Sequence, residues 1–285
     1  MENIVQFIHA GVEHAYVCGQ THKEANPAKD GAHERNFIRA KGRYVGTDGK
    51  PVDSTLCFWG EWENEADVQK LAGTGKDGLP KHVITPLTVK KGTLPCNTDP
   101  FVFGKCFKYF WCHQGNENGS LRKLEKGDLI LFGSKKDGGF VLDTVFVVDR
   151  AIPYTTGSFD GIKNALDKED FELFRRNSLD SILAPADCGS TCGSGGTEAP
   201  HTFYTGATIE NPVDGMYSFA PAQTEQSCPN GFVRITLTGS QVPGLSGELS
   251  QNFKVIKGTN VNAVWNAILK AVTEQGLVPG VEFEL

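Results

Sequence analysis

The chain has 285 residues, a formal net charge of −6 and a sequence pI of about 5.7. This acidic balance gives no support for non-specific binding to a phosphate backbone, which depends on Lys and Arg. The 33 glycines and 14 prolines favour a turn-rich, strand-rich globular protein over a helical bundle.

Residues 1–8 contain neither the basic segment nor the apolar run of a signal peptide. No segment approaches the roughly 18 apolar residues of a membrane-spanning helix. We therefore expect a cytoplasmic protein without a membrane partner. In that compartment the 8 cysteines are expected to be thiols, and whether Cys188 and Cys192 pair stays open.

The first part of the chain predicts strands that flank a long polar loop. Residues 4–9 predict a strand, and residues 9–34, which contain four histidines, predict a strand and a long loop. Long loops inside compact domains are often functional. Residues 37–45 and 54–59 predict strands, and residues 61–71 predict a helix.

The segment 97–150 carries the densest β signal of the chain. Residues 101–112 are rich in aromatic side chains and predict a strand. Residues 129–132 and 140–148 predict two more strands, joined by a hairpin whose turn is Asp137-Gly138-Gly139.

The C-terminal part predicts helices, a break and further strands. Residues 160–183 predict helical pieces with Asp167 as an N-cap, and Asn260 or Thr259 can cap a second helix. The Gly/Ser/Pro-rich residues 184–200 predict a linker or mobile loop. It would separate a strand-rich core domain, 1–183, from a C-terminal lobe, 201–285, which can also pack on the same core. Further strands are predicted at 203–209, 216–219, 231–238, 253–256 and 277–285.

Aromatic and acidic residues form the first candidate site. Trp59 and Trp62 alternate with Glu61 and Glu63 in CFWGEWE, residues 57–63. Tryptophan faces can stack on a flat ligand, and neighbouring carboxylates can accept hydrogen bonds from its amine edge. Trp111 is the third candidate wall of such a pocket, and Asn97 is a further candidate for reading polar groups of the ligand. The alternative is that these tryptophans fill the core.

Histidine and cysteine give weaker indications of chemistry. No tight Cys pair of the zinc-binding kind occurs. We therefore expect no cofactor and no metal site; zinc stays an open alternative, with His9, His14 and Cys18 as candidate ligands. A thiol nucleophile, Cys18 or Cys112, paired with a histidine distant in sequence is also left open. The catalytic residues stay unknown at this stage.

The sequences LRKLEKGDLILF, residues 121–132, and FVLDTVFVV, residues 140–148, resemble the PUA-like superfamily of PUA, ASCH, EVE and YTH domains. With the aromatic segment upstream, the resemblance covers residues 97–150. It implies a PUA-like barrel and a pocket for a modified base, which Trp59, Trp62 and Trp111 would line. ASCH-type members include hydrolases of modified nucleosides. The motifs CFWGEWE, NTDPFVFG and GATIENPVDGMYSF look like those of an uncharacterised bacterial family.

We therefore expect a strand-rich α+β fold with a bent mixed or antiparallel sheet, or a PUA-like barrel, and a few peripheral helices. The first functional hypothesis is recognition of a modified base, a nucleotide or a nucleotide-like small ligand in an aromatic pocket. The second is a hydrolase or transferase that acts on a nucleoside-like molecule. The third is a structural or protein-partner-binding protein.

Overall fold

The computed structural model describes residues 3–9, 11–26, 33–72, 78–115, 119–136, 139–183, 200–246 and 253–285. The strands within these residues are β1 (Asn3–Ile8), β2 (Val12–Glu13), β3 (His22–Lys23), β4 (Glu34–Val45), β5 (Pro51–Glu61), β6 (Ala66–Lys70), β7 (His82–Pro86), β8 (Lys108–Tyr109), β9 (Leu129–Lys136), β10 (Gly139–Thr155), β11 (Pro200–Gly206), β12 (Ala220–Thr224), β13 (Ile235–Leu237), β14 (Phe253–Lys257) and β15 (Val278–Phe283). The α-helices are α1 (Asp160–Ala165), α2 (Lys168–Asn177) and α3 (Val261–Glu274).

In the described part of the chain the strands form two mixed sheets. The first has the order β14-β1-β9-β10-β11-β8, with β13 paired to β10. The second has the order β15-β12-β5-β4-β7-β6-β3, and β15 also pairs with β4, so that β4, β5, β12 and β15 form a closed ring of pairings. Strands from residues 200–285 thus lie in both sheets. The predicted strand-rich α+β fold with mixed sheets and few helices is confirmed.

Alternating side chains of the central strands enter two different hydrophobic clusters. On β5, Leu56 and Phe58 belong to one cluster, whereas Cys57 and Trp59 belong to the other. Because successive side chains of a strand point to opposite faces, both faces of the second half of β5, residues 56–61, are covered. This explains why the strand reads as a continuous apolar run instead of alternating with polar residues.

A buried ion pair joins the two sheets. Nε of Arg35, on β4, donates to Oδ2 of Asp143, on β10, at 2.6 Å, and both side chains are buried. The pairing of β10 with β9 shifts its register between Leu142 and Thr144, so Asp143 lies at a bulge. A bulge re-aims the side chain at its position, and here that side chain meets the other sheet.

The helix caps agree with the sequence. Asp167 precedes α2 and accepts a hydrogen bond from the backbone N–H of Asp170 at 2.9 Å. Asn260 precedes α3 and accepts from the N–H of Ala263 at 2.9 Å. Both N-caps are therefore confirmed. None of the helices in the described ranges is long and apolar enough to cross a membrane.

Three predicted elements are wrong, and two other predictions lie outside the described residues. Residues 61–71 do not form a helix: β6 lies there, with Ala66 and Val68 buried and the residues between and after them exposed. Residues 216–219 precede a strand, β12, instead of forming one. Residues 101–112 contain only the two-residue strand β8. The turn residues 137–138 and residues 184–199, with Cys188 and Cys192, are not described.

Candidate active site

Four chemically reactive side chains from distant parts of the chain meet between the two sheets. His9 directly follows β1, and His33 directly precedes β4; Glu61 is the last residue of β5, and Cys112 lies shortly after β8. All four are buried. The pairing of Arg35 with Glu61 in the β4–β5 ladder brings His33 and Glu61 to the same end of the second sheet, and β1 brings His9 from the first.

The carboxylate of Glu61 is the centre of this cluster. Its Oε1 is 2.9 Å from Nδ1 of His33 and accepts a hydrogen bond from the backbone N–H of Asp99 at 3.2 Å. Its Oε2 is 3.2 Å from Nε2 of His9. Burial alone would raise the pKa of Glu61, but the nearby charges of His33 and His9 and their hydrogen bonds lower it to about 2. Glu61 is therefore ionised, and it fixes the orientation of both imidazole rings.

The thiol of Cys112 lies on the other side of His33. Its Sγ is 3.6 Å from Nε2 of His33, and Nδ2 of Asn97 donates to the same sulfur at 3.2 Å. Cys112, His33 and Glu61 thus form a continuous series of a nucleophile, a base and a carboxylate that orients the base. This geometry is typical of thiol enzymes and recurs on unrelated folds.

Asp99 fixes the segment that carries Cys112. Its Oδ1 accepts from the N–H of Phe110 at 3.1 Å, and its Oδ2 accepts from the N–H groups of Trp111 at 2.9 Å and of Cys112 at 2.7 Å. These N–H groups are not available to a neighbouring strand, so β8 does not continue beyond Tyr109. The preceding residues fold back on themselves, because Phe101 and Lys108 pair with each other. Burial raises the pKa of Asp99 to about 6, against the opposing effect of these N–H donors.

The chain turns sharply after the thiol. His113 has a φ of 59°, in the left-handed region that is uncommon for residues other than glycine. Such backbone conformations are often found at functional sites. The turn lies directly after Cys112 and ends the segment that Asp99 holds.

A second carboxylate lies beside the cluster. Oε1 of Glu63 accepts from the backbone N–H of Glu34 at 2.7 Å. Burial raises the pKa of Glu63 to about 8; Lys23 opposes this shift and Glu61 adds to it. Lys23 is itself buried and donates to the carbonyl oxygen of Trp62. The predicted site residues Glu61, Glu63 and Asn97 are therefore all placed at or beside this cluster.

The three predicted tryptophans are buried and do not share one environment. Nε1 of Trp59 donates to the carbonyl of Phe232 at 3.0 Å, and Nε1 of Trp62 donates to that of Glu65 at 2.9 Å. Trp111 stacks on a histidine ring at a centroid distance of 4.1 Å. Trp62 and Trp111 belong to one hydrophobic cluster and Trp59 to the other. The structure thus does not bring all three to a common wall.

A cavity of about 430 Å³ lies near Trp59. The guanidinium of Arg234 is positioned over the ring of Trp59, with 4.8 Å between its carbon and the ring centroid. Arg234 lines the cavity together with Lys136, and its Nη2 also donates to Oε1 of Glu13 at 2.6 Å. The other lining residues are small or apolar apart from one threonine: Gly78, Gly139, Val141, Val233 and Thr236.

Two groups of side chains among the described residues could hold a metal ion. One consists of His9, His33 and Cys112, the other of His33, Glu61 and Glu63, and in each the ligand atoms lie within 4.8 Å of one another. His9 was a candidate ligand on sequence grounds, but its expected companions are elsewhere. His14 pairs with Glu34, and Cys18 is exposed.

The sequence did not indicate that His33 and Cys112 would meet, since 79 residues separate them. The available signal was indirect: His33 directly precedes a strand-like segment, and Cys112 closes the aromatic run. Comparisons with protein-family models, with curated proteins and with solved structures give no match. The resemblance to the PUA-like superfamily therefore stays a prediction, and the function has to be inferred from the geometry of the site.

Proposed function

We propose that the protein is a cysteine-dependent hydrolase or transferase. Cys112 is the nucleophile, His33 is the general base, and Glu61 orients His33. The observation that carries this proposal is the unbroken series of contacts from Sγ of Cys112 through both ring nitrogens of His33 to Oε1 of Glu61, at 3.6 Å and 2.9 Å. Nucleophile, base and orienting carboxylate are the components that thiol catalysis requires.

The reaction class is acyl transfer. Nε2 of His33 takes the proton of the Cys112 thiol, and the thiolate attacks the carbonyl carbon of an amide or ester. The bond from that carbon to the leaving nitrogen or oxygen then breaks, and the protonated His33 gives its proton to the leaving group. Water, or an acceptor nucleophile in a transferase, attacks the resulting thioester and restores the thiol, with His33 again carrying the proton.

Asn97 supports the thiolate. Its amide Nδ2 donates to Sγ of Cys112 at 3.2 Å, and a hydrogen bond to the charged form of a group favours that form. Because Asn97 lies two residues before Asp99 in the chain, the same segment that fixes the backbone around Cys112 also contacts its sulfur. Glu61 keeps His33 in place from the opposite side.

The nucleoside-like substrate class comes from the sequence resemblance and stays a prediction. Enzyme activity is favoured over recognition by stacked tryptophans, because Trp59 and Trp62 are buried and donate their indole N–H groups to protein carbonyls. A tryptophan in that state fills the core instead of gripping a ligand. A role in binding a protein partner also stays a prediction.

The rate at which iodoacetamide alkylates Cys112 tests the activation of the thiol. Peptide mapping by mass spectrometry follows each cysteine separately, and the exposed Cys18 is an internal standard. We expect His33→Ala and Glu61→Gln to slow the alkylation of Cys112 and to leave that of Cys18 unchanged. Equal rates at Cys112 in the wild type and in His33→Ala would contradict the proposal. Thermal unfolding of each variant controls for loss of the fold.

A second candidate function is binding of an anionic, nucleotide-like ligand in the cavity beside Trp59. The observation that favours it is the presence of Lys136 and of Arg234, which is paired with Glu13, in the lining of a cavity of about 430 Å³. This volume is within the ~300–1,000 Å³ of ordinary small-molecule sites. Isothermal titration with nucleoside monophosphates tests it. Binding that is weaker in Lys136→Gln than in the wild type supports this function. The absence of a heat of binding for every nucleoside monophosphate would rule it out.

A further inference from the structure

We propose that His9, His33 and Cys112 bind one divalent transition-metal ion of the zinc type, and that the bound ion blocks the thiol. The second half of this proposal rests on the proposed thiol chemistry, whereas the first half depends on the ligand geometry alone. The ion would therefore regulate the enzyme by competing for its nucleophile and its base.

The three side chains are close enough together to bind one ion. Their ligand atoms lie within 4.8 Å of one another, and all three residues are buried. Sγ of Cys112 and Nε2 of His33 are 3.6 Å apart. In a tetrahedral zinc site, bonds of about 2.3 Å to sulfur and about 2.1 Å to nitrogen put these two atoms roughly 3.6 Å apart. The observed separation of these two atoms therefore matches that of two ligands of one tetrahedral ion.

The carboxylate of Glu61 is placed as the outer partner of the metal ligands. It contacts Nδ1 of His33 at 2.9 Å and Nε2 of His9 at 3.2 Å. Histidines that bind metals usually donate their other ring N–H to a carboxylate or carbonyl, which fixes the ring orientation. Here one buried carboxylate contacts two histidines, and for His33 the contact at Nδ1 leaves Nε2 directed toward Cys112.

The charges also favour a divalent ion over a monovalent one. A Cys112 thiolate and the Glu61 carboxylate carry two negative charges in a site where both residues are buried. Buried charges are costly unless they are balanced, and one divalent cation balances both. Thiolate and imidazole ligands select a soft or borderline transition metal over Mg²⁺ or Ca²⁺. Three protein ligands leave a fourth position for water.

Binding of the ion and nucleophilic catalysis exclude each other. The thiolate electron pair that would attack a carbonyl carbon is engaged in the bond to the metal, and so is the electron pair on Nε2 of His33 that would accept the thiol proton. Removal of the metal by a chelator restores both groups without any change in covalent structure. The proposed regulation is therefore reversible.

Titration of the chelator-treated 285-residue chain with Co²⁺ tests the metal site directly. We expect one equivalent to bind, with a thiolate-to-cobalt charge-transfer band that is lost in Cys112→Ser. His9→Gln and His33→Gln should weaken binding, and Glu61→Gln should weaken it by roughly 10–100-fold, the usual effect of losing an outer partner. His22→Ala is the matched control, because that histidine is 43% exposed and lies outside the ligand groups. Binding that is equal in the wild type, Cys112→Ser and His9→Gln would overturn the proposal, as would the absence of binding.

Alkylation by iodoacetamide tests the competition. Zn²⁺ should protect Cys112 and not Cys18, and a chelator should restore the rate at Cys112. A cobalt complex with the charge-transfer band but an unchanged alkylation rate would overturn the proposed blockade. The two proposals fail separately. If Co²⁺ binds through Cys112 but the metal-free thiol does not depend on His33, the metal site stands and the thiol enzyme does not. If the alkylation rate of Cys112 depends on His33 and no metal binds, the thiol enzyme stands and the metal site does not.

Discussion

Nε2 of His33 lies 3.6 Å from Sγ of Cys112, although 79 residues separate the two in the chain. Neither residue reaches this position through its own local structure. His33 is held by Glu61 at the end of β5, and Cys112 is held by the backbone bonds to Asp99. The pair therefore depends on the pairing of β4 with β5 and on one buried carboxylate that replaces a strand neighbour.

Asp99→Asn should destabilise the protein and disturb Cys112. The two carboxylate oxygens accept three backbone N–H bonds, and an amide has only one oxygen, so its NH₂ group would face at least one N–H donor. A buried donor left without an acceptor costs about 1–3 kcal/mol. Urea unfolding measures the loss, and Asp53→Asn, at an exposed position of β5, is the control. An equal effect of the two substitutions would contradict this role of Asp99.

Gly11→Ala should cost more than Gly19→Ala, although both glycines have a positive φ, 41° and 83°. An alanine Cβ in the left-handed region costs roughly 1–2 kcal/mol at either position. At Gly11 the added Cβ would also lie 2.0 Å from the carbonyl oxygen of His33, whereas nothing lies within 4 Å at Gly19. Thermal unfolding should therefore separate the two variants, and alkylation of Cys112 should fall only in Gly11→Ala. Equal unfolding temperatures would show that the backbone at His33 yields without cost.

Arg35→Met should be among the most damaging single substitutions. It leaves Asp143 buried without the guanidinium that bonds it at 2.6 Å, and breaking a buried ion pair by removing one partner costs about 3–5 kcal/mol. Arg39→Met is the matched control, because its partner Glu225 is 49% exposed and such pairs contribute about 0–1 kcal/mol. Denaturant unfolding gives both values. If Arg35→Met/Asp143→Leu recovers no stability over Arg35→Met, the cost does not come from the unpaired carboxylate.

The N-cap of α2 gives a prediction with a defined pH dependence. The backbone N–H of Asp170, and then Lys105, lower the pKa of Asp167 below its ordinary 3.8. A lowered pKa in the folded state means that the ionised cap stabilises the fold above pH 3.8, and that this contribution is lost as the pH falls through the lowered value. Asp167→Ala should cost about 1 kcal/mol at neutral pH, and the difference from the wild type should shrink on acidification.

Unfolding in denaturant at a series of pH values measures this difference. Asp167→Asn is the control, since asparagine caps helices nearly as well as aspartate and cannot ionise. A difference between Asp167→Ala and the wild type that stays constant from neutral to acidic pH would contradict the contribution of the charge.

The strands and helices that could be predicted from sequence are those in which local pattern and tertiary burial agree. The strands β4, β5, β9 and β10 lie in β-branched and aromatic runs, and α3 follows helical spacing behind Asn260. The prediction of a helix at 61–71 is wrong. The alternation that marks β6, with Ala66 and Val68 buried, spans only a few residues and is a weaker sequence signal than the helix-forming residues of the segment. In this segment the pairing of β6 with β7 outweighs the intrinsic helix propensity of the residues.

The site was predictable only in part, for a different physical reason. Glu61, Glu63 and Asn97 could be selected because carboxylate and amide side chains close to tryptophan-rich segments can bond the polar groups of a flat ligand. The partners themselves, His33 and Cys112, come from loops next to strand ends, and no periodicity links such positions. Asp99 shows the same limit, because its role is to bond three backbone groups that an aromatic pattern assigns to a strand ladder.

Trapping of an acyl-enzyme tests the central claim most directly. The wild type, His33→Ala and Cys112→Ser are incubated with small ester and amide donors, including acylated nucleosides, and the adducts are located by intact mass and peptide mapping. We predict a thioester on Cys112 that hydroxylamine removes, that forms at least ~10²-fold more slowly in His33→Ala, and that is absent in Cys112→Ser. Acylation that occurs equally at the exposed Cys18, or that does not depend on His33, would contradict the assignment of Cys112 as the nucleophile.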